Sequence, residues 1–104
     1  RFPAVYEVED VTNDPVPLAG NIDEGEAATL ADVLLATLKG RPQPPPYSGA
    51  AVCYIETGGG TVAKVDVDFL SGAGPTAVFT PPSAEVAEEK RRFGSVRAQR
   101  WFGD

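Results

Sequence analysis

Two alternating runs joined by glycine constrain this chain more than any other feature. Residues 50–57, AAVCYIET, and residues 61–70, TVAKVDVDFL, are separated only by Gly58, Gly59 and Gly60. Alternation with period two is the pattern of a half-buried strand, and glycine supplies the positive φ that a tight connection demands. The segment therefore reads as an antiparallel hairpin over 50–69. With Thr57 placed against Thr61, Ala51, Cys53 and Ile55 share one side with Ala63, Val65 and Val67. The other side carries Val52, Tyr54 and Glu56 with Val62, Lys64 and Asp66. A slip of one residue would exchange every side chain between the two faces. The apolar side is expected to face the core, which turns Cys53 inward as packing, away from Lys64.

The strongest helical pattern is NIDEGEAATLADVLLATLKG, residues 21–40, with a helix expected over about 22–39. Ala27, Leu30, Ala31, Leu34 and Leu38 fall on one face, which Val33 and Leu35 widen. Asn21 with Glu24, or Asp23 with Glu26, has the spacing of a reciprocal N-terminal cap, and Lys39 and Gly40 supply the stop. FPAVYEV, residues 2–8, reads as a strand that ends at the turn-rich TNDPVP. RPQPPPYSG, residues 41–49, is an extended proline-rich linker. TAVFT is a short third strand. A second helix is expected over about 83–100, opened by Ser83 and striped by Val86, Phe93, Val96 and Trp101, with Gly94 as its weak point. The fold class is α+β: a small, mostly antiparallel sheet with two helices, in a single domain spanning 1–104.

The length of 104 residues allows one modest core. No apolar run reaches the length of a membrane-spanning helix, and the first residues have no signal-peptide pattern. The chain starts at Arg1 and contains no methionine, as expected of a processed, excised or engineered piece. The absence of histidine removes His-based triads, His metal ligands and the usual neutral-pH general base. A single cysteine excludes an internal disulfide. Residues 1–89 carry a balance of −10 and residues 90–104 one of +4. So acidic a body disfavours nucleic acid as a partner, because phosphate contacts dominate that affinity.

The basic tail KRRFGSVRAQRWF interleaves cations with Phe93, Trp101 and Phe102. Three readings remain open: a helix face packed on the body through its aromatics, a segment seated on anionic lipid, or a tail docked on the acidic body. SGAGPT lacks the third glycine and the following helix of a phosphate-binding loop and is read as a plain loop. Asp66 and Asp68 share a strand face without a third carboxylate nearby, so no metal site is expected.

Four segments together carry a resemblance over almost the whole chain: FPAVYEVEDVT, PLAGNIDEGEAATLADVLLATLKG, GAAVCYIETGGGTVAKVDVDFL and AEEKRRFGSVRAQRWFG. Their order resembles the C-terminal part of the FAD-dependent pyridine nucleotide-disulfide oxidoreductases, in the branch of the sulfide:quinone oxidoreductases. The resemblance implies that residues 1–40 are the last strand and helix of a FAD-binding fold, 41–49 a linker, and 50–104 the C-terminal hairpin and helix. It implies that Asp10 holds the flavin's ribityl chain, and that Gly20, Asn21 and Ile22 face the flavin's pyrimidine edge. It also implies that Cys53 is the thiol beside the flavin. The family's Gly-Asp pair is Glu9-Asp10 here, and the lysine often found before the helix is Leu18.

The glycine-rich units for the flavin diphosphate and for a nicotinamide cofactor are not in these residues, nor is a second redox cysteine. FAD is therefore expected in a full-length parent, and neither bound flavin nor turnover in this chain alone. Partners implied are the missing N-terminal flavin domain, a second copy through the exposed sheet edge and helix 22–39, and a membrane surface through 90–102. The implied location is the cytoplasm, with a peripheral seat on the inner face of the membrane. A non-catalytic interaction module derived from the same scaffold, natural or engineered, is the alternative.

Overall fold

The computed structural model describes residues 2–103. A 3₁₀ turn covers Glu9–Val11, followed by helix α1 (Gly20–Leu38). Strands β1 (Ala50–Gly58), β2 (Thr61–Asp68) and β3 (Thr76–Ser83) form one antiparallel sheet in the order β1-β2-β3, and helix α2 (Ala84–Phe102) closes the chain. The α+β class, the hairpin and both helices are as the sequence implies. Residues 2–8 form no strand; they run as irregular chain with a turn at Pro3-Ala4. That apolar segment has no neighbouring strand to pair with, and strand propensity without a partner does not make a sheet.

The residues group into two compact units, Arg1–Ala51 with Val67–Thr76, and Val52–Asp66 with Ala77–Asp104. In the first, α1 buries Ile22, Glu26 and Ala36, with Thr29, Leu30 and Val33 half-buried between them. This stripe is rotated from the expected one: Leu30, Val33 and Leu34 keep partial burial, whereas Ala27, Ala31, Leu35 and Leu38 are exposed. The rotation is set by the groups α1 meets. Tyr47 lies so close to Gly25 that a Cβ there would come within 2.6 Å of its ring. Only glycine leaves room, and Tyr47 Oη then donates to the Ala50 carbonyl at 3.0 Å. Neither Asn21 nor Asp23 is the N-cap, because the helix starts at Gly20, two residues earlier than expected, with Ala19 in that place.

In the second unit the hairpin turns on Gly58, Gly59 and Gly60, all with positive φ (82°, 60° and 78°), where any other residue would be strained. The Thr57 and Thr61 hydroxyls meet at 2.9 Å, so the two faces are divided as the expected pairing divides them. Their burial departs from the expectation on β1: Ala63, on the expected core side, is buried at 2 % exposure, but Cys53 and Ile55 on the same side are not. Helix α2 covers the Tyr54, Val62 and Lys64 side, where Val62, Val86 and Ala87 form the core with Tyr54 packed against it. Cys53 is exposed, and Ile55 is half open to solvent.

Complementary charge brings α2 to the Tyr54 and Lys64 side. Lys64 Nζ donates to both Glu89 oxygens at 3.0 and 3.1 Å, Tyr54 Oη donates to the same carboxylate at 2.8 Å, and Lys90 pairs with Glu56. Phe93 meets Tyr54 edge-on at 5.5 Å. Helix α2 runs unbroken through Gly94 and leaves Val96, Trp101 and Phe102 exposed.

Strand β3 lies at an edge of the sheet, which is where Pro81 and Pro82 are tolerated, since neither can donate to a ladder. Its last residue, Ser83, caps α2: Ser83 Oγ accepts the Val86 N–H at 3.1 Å. A capping serine contributes about 1 kcal/mol. Ser83→Ala is therefore expected to lower the unfolding free energy by about 1 kcal/mol, read as a shifted urea midpoint with an unchanged slope.

Candidate functional site

The residues that the resemblance places around a flavin fall in both units: Asp10, Gly20, Asn21 and Ile22 in the first, Cys53 in the second. In the first unit the 3₁₀ turn lies against the start of α1. Glu9 is 6 % exposed and holds φ +60°, a left-handed conformation that residues other than glycine avoid. Its side chain ties the turn to the helix: Ala19 N–H donates to Glu9 Oε1 at 2.8 Å, and Glu9 N–H donates to Glu26 Oε2 at 2.7 Å. The Thr12 hydroxyl and N–H both donate to the Glu9 carbonyl at 2.7 Å.

This lacing brings the exposed Asp10 to the N-terminus of α1. One carboxylate oxygen each from Glu9, Asp10 and Asp23 lie within 4.8 Å of one another. Gly20 and Asn21 open the helix at the surface, whereas Ile22 points away from solvent at 1 % exposure. Ile22 can therefore offer only its backbone to a ligand. Glu9 is the functional-looking residue that the sequence reading treated as a mere departure. The signal that identifies it is the run Glu9-Asp10 facing an acidic first turn.

Burial holds the Glu26 carboxyl above the usual carboxylate range, and the charges of Asp14 and Asp23 push it further up. Beside it runs a groove of about 260 Å³ lined by Glu26, Leu30, Val33, Tyr47 and Leu70 among others. That is smaller than ordinary ligand pockets, which start at about 300 Å³.

In the second unit Cys53 stands on the open face of β1, not in the core as the sequence pattern implies. The same unit carries the Lys64–Glu89–Tyr54 cluster. The ammonium of Lys64, and then the Tyr54 hydroxyl, hold Glu89 below the usual carboxylate range. Burial, reinforced by the hydrogen bond to Glu89, pushes the Tyr54 phenol up to about 12. A phenol so poor in acidity and an anchored carboxylate make a structural clamp rather than a proton relay. Asp66 leans on Lys64 at 3.5 Å. In the first unit Asp68 accepts from the Leu70 and Ser71 N–H groups and the Ser71 hydroxyl in a local turn.

Comparison with protein-family models, with curated proteins and with solved structures finds no match for this chain. Among the described residues no helix is long and apolar enough to cross a membrane.

Two outcomes follow from this geometry. A carboxyl with a raised folded pKa stabilises the fold while protonated, and that contribution is lost as pH rises from its ordinary value of 4.5 through the folded value. Stability measured by urea unfolding should thus fall across that window in the native chain and fall less in Glu26→Gln, whose side-chain oxygen can still accept the Glu9 N–H. Separately, Cys53 in the folded chain should react with a thiol reagent at a rate comparable to that of the urea-unfolded chain. A many-fold slower native reaction would restore the buried reading.

Proposed function

We propose that this chain is the C-terminal part of a flavin-dependent oxidoreductase of the sulfide:quinone type, forming one wall of the flavin site and having no turnover by itself. The observation that carries the reading is the backbone of Glu9. The resemblance puts a glycine at this position, before the aspartate that holds the ribityl chain, and position 9 has the left-handed φ of +60° that glycine adopts freely. The glutamate thus occupies a conformation better suited to the family's residue. Support also comes from the next position, since Asp10 lies by the N-terminus of α1, where N–H groups favour negative charge on a reduced flavin.

In this reading FAD belongs to the parent, and its diphosphate is held by an N-terminal flavin domain. Cys53, exposed on its strand, is the thiol that works near the flavin. Exposed Leu35 and Leu38 on α1 supply a contact to a second copy. Residues 90–102, with Trp101 and Phe102 open to solvent among arginines, seat the parent on the inner face of the membrane from the cytoplasm.

The alternative, a non-catalytic interaction module, is favoured by one specific contact: Glu9 Oε1 already takes the Ala19 N–H at the helix start and adds charge where flavin phosphates would be repelled. Absorbance at flavin wavelengths separates the two. The chain alone, mixed with FAD and desalted, should come through colourless. Produced together with the coding region preceding Arg1, it should stay yellow, and Asp10→Ala in that longer protein should lower the flavin occupancy. A longer protein that folds and retains no flavin would leave the interaction module as the function.

A further inference from the structure

The acidic corner of the first unit has a chemistry of its own. Glu9 and Asp10 come from the 3₁₀ turn and Asp23 from the first turn of α1, and their carboxylate oxygens converge within 4.8 Å. Two of the oxygens in this corner, Glu9 Oε2 and Asp23 Oδ1, are buried and have no hydrogen-bond partner. Glu9 itself is more than nine-tenths buried. Buried anionic oxygens without donors are costly, and such groups are normally paired, protonated or metal-bound. The salt bridges among the described residues involve Lys64, Lys90 and Arg91, all in the other unit, and none reaches these three carboxylates.

We infer that Glu9, Asp10 and Asp23 form a binding site for a divalent hard cation, calcium in preference to magnesium. The donor set is all oxygen and all anionic, which suits calcium and magnesium and not the softer metals that take sulfur or imidazole. Size then decides between the two. Calcium takes six to eight oxygens at about 2.3–2.6 Å in a flexible shell, so three carboxylates from a turn and a helix start can gather round it by small side-chain movements. Magnesium at about 2.1 Å would require them to close in and would demand octahedral regularity from a turn. Water completes the shell on the Asp10 side, which is exposed. The positive end of the α1 dipole opposes a cation here, but Glu9 already takes the Ala19 N–H, and three carboxylates outweigh half a unit charge.

The raised pKa of Glu26 fits the same field, since its causes include Asp14 and Asp23 after its own burial. Asp10 serves both this site and the proposed flavin wall, yet the cation inference does not rest on the flavin reading. Titrating the chain alone with calcium chloride, without flavin, tests it separately.

The experiment is calorimetric titration of the metal-stripped chain with calcium, with amide NMR shifts to locate the ion. A single site with a Kd on the order of 10⁻⁴–10⁻³ M is expected, as for weak exposed calcium sites, with shifts centred on residues 9–12 and 19–26. Asp23→Asn and Asp10→Asn should each weaken it about tenfold or more, while Asp32→Asn, an exposed acid elsewhere on α1, should leave it unchanged. Asp10→Asn alters an exposed side chain, so its loss of binding with an unchanged circular dichroism spectrum would not be a folding defect. No heat or shift at millimolar calcium would overturn the site. Equal weakening by Asp32→Asn would reduce it to diffuse attraction, and equal affinity for magnesium would overturn the calcium assignment.

Discussion

A shortage of buried apolar side chain governs how this protein is held together. Among the described residues the buried hydrophobics are Ile22, Ala36, Val62, Ala63, Val86 and Ala87, three of them alanines. Cores this thin cannot select one arrangement by packing alone, because an alanine offers little area and little shape. Polar contacts must therefore choose the arrangement. In the first unit the choice is made by Glu9, whose carboxylate and N–H bind the turn to α1 at Ala19 and Glu26. In the second it is made by Glu89, which accepts from both Tyr54 and Lys64.

Magnitudes separate what stabilises from what specifies. Solvent-accessible ion pairs such as Lys64–Glu89 and Lys90–Glu56 contribute little to stability, because water screens them and ordering two long side chains costs entropy. The edge-on Tyr54–Phe93 pair adds about 0.5–1.5 kcal/mol, and the Arg97 guanidinium, 3.4 Å above the Phe93 ring, adds about 0.5–1 kcal/mol. None of these is large. Their combined effect is to make one face of the hairpin compatible with α2 and the other incompatible, which leaves Cys53 and Ile55 outside. In the first unit two of the carboxylate oxygens gathered at the helix start, Glu9 Oε2 and Asp23 Oδ1, are buried without a hydrogen-bond partner, and this frustration is what makes the corner chemically interesting.

Much of the architecture was legible because it is local. Glycine at 58–60 and period-two runs on either side specify a hairpin whatever surrounds them, and Ser83 before Val86 specifies a helix start. The candidate site was legible in part. Asp10 and the helix start at Gly20 were singled out from the sequence, and the turn does bring Asp10 to that start. Glu9 was read as a misfit, and its role as the buried tie between turn and helix depends on Ala19 and Glu26, which lie 10 and 17 residues away. The strand expected at residues 2–8 failed for the same kind of reason, since a strand exists only with a neighbour.

Cys53 shows where the division falls. The alternation of AAVCYIET determined by itself that Cys53 and Tyr54 lie on opposite faces of a strand, since the pleat is a property of the backbone. Which face is covered was not a local matter. Counting apolar side chains favours the Cys53 side, yet α2 brings Glu89, Lys90 and Phe93 to the other, where Lys64, Glu56 and Tyr54 can be paired. A sequence states periodicity because bonds enforce it within a few residues. It leaves burial to the tertiary structure, because that depends on which distant charges and rings arrive to satisfy the groups being covered.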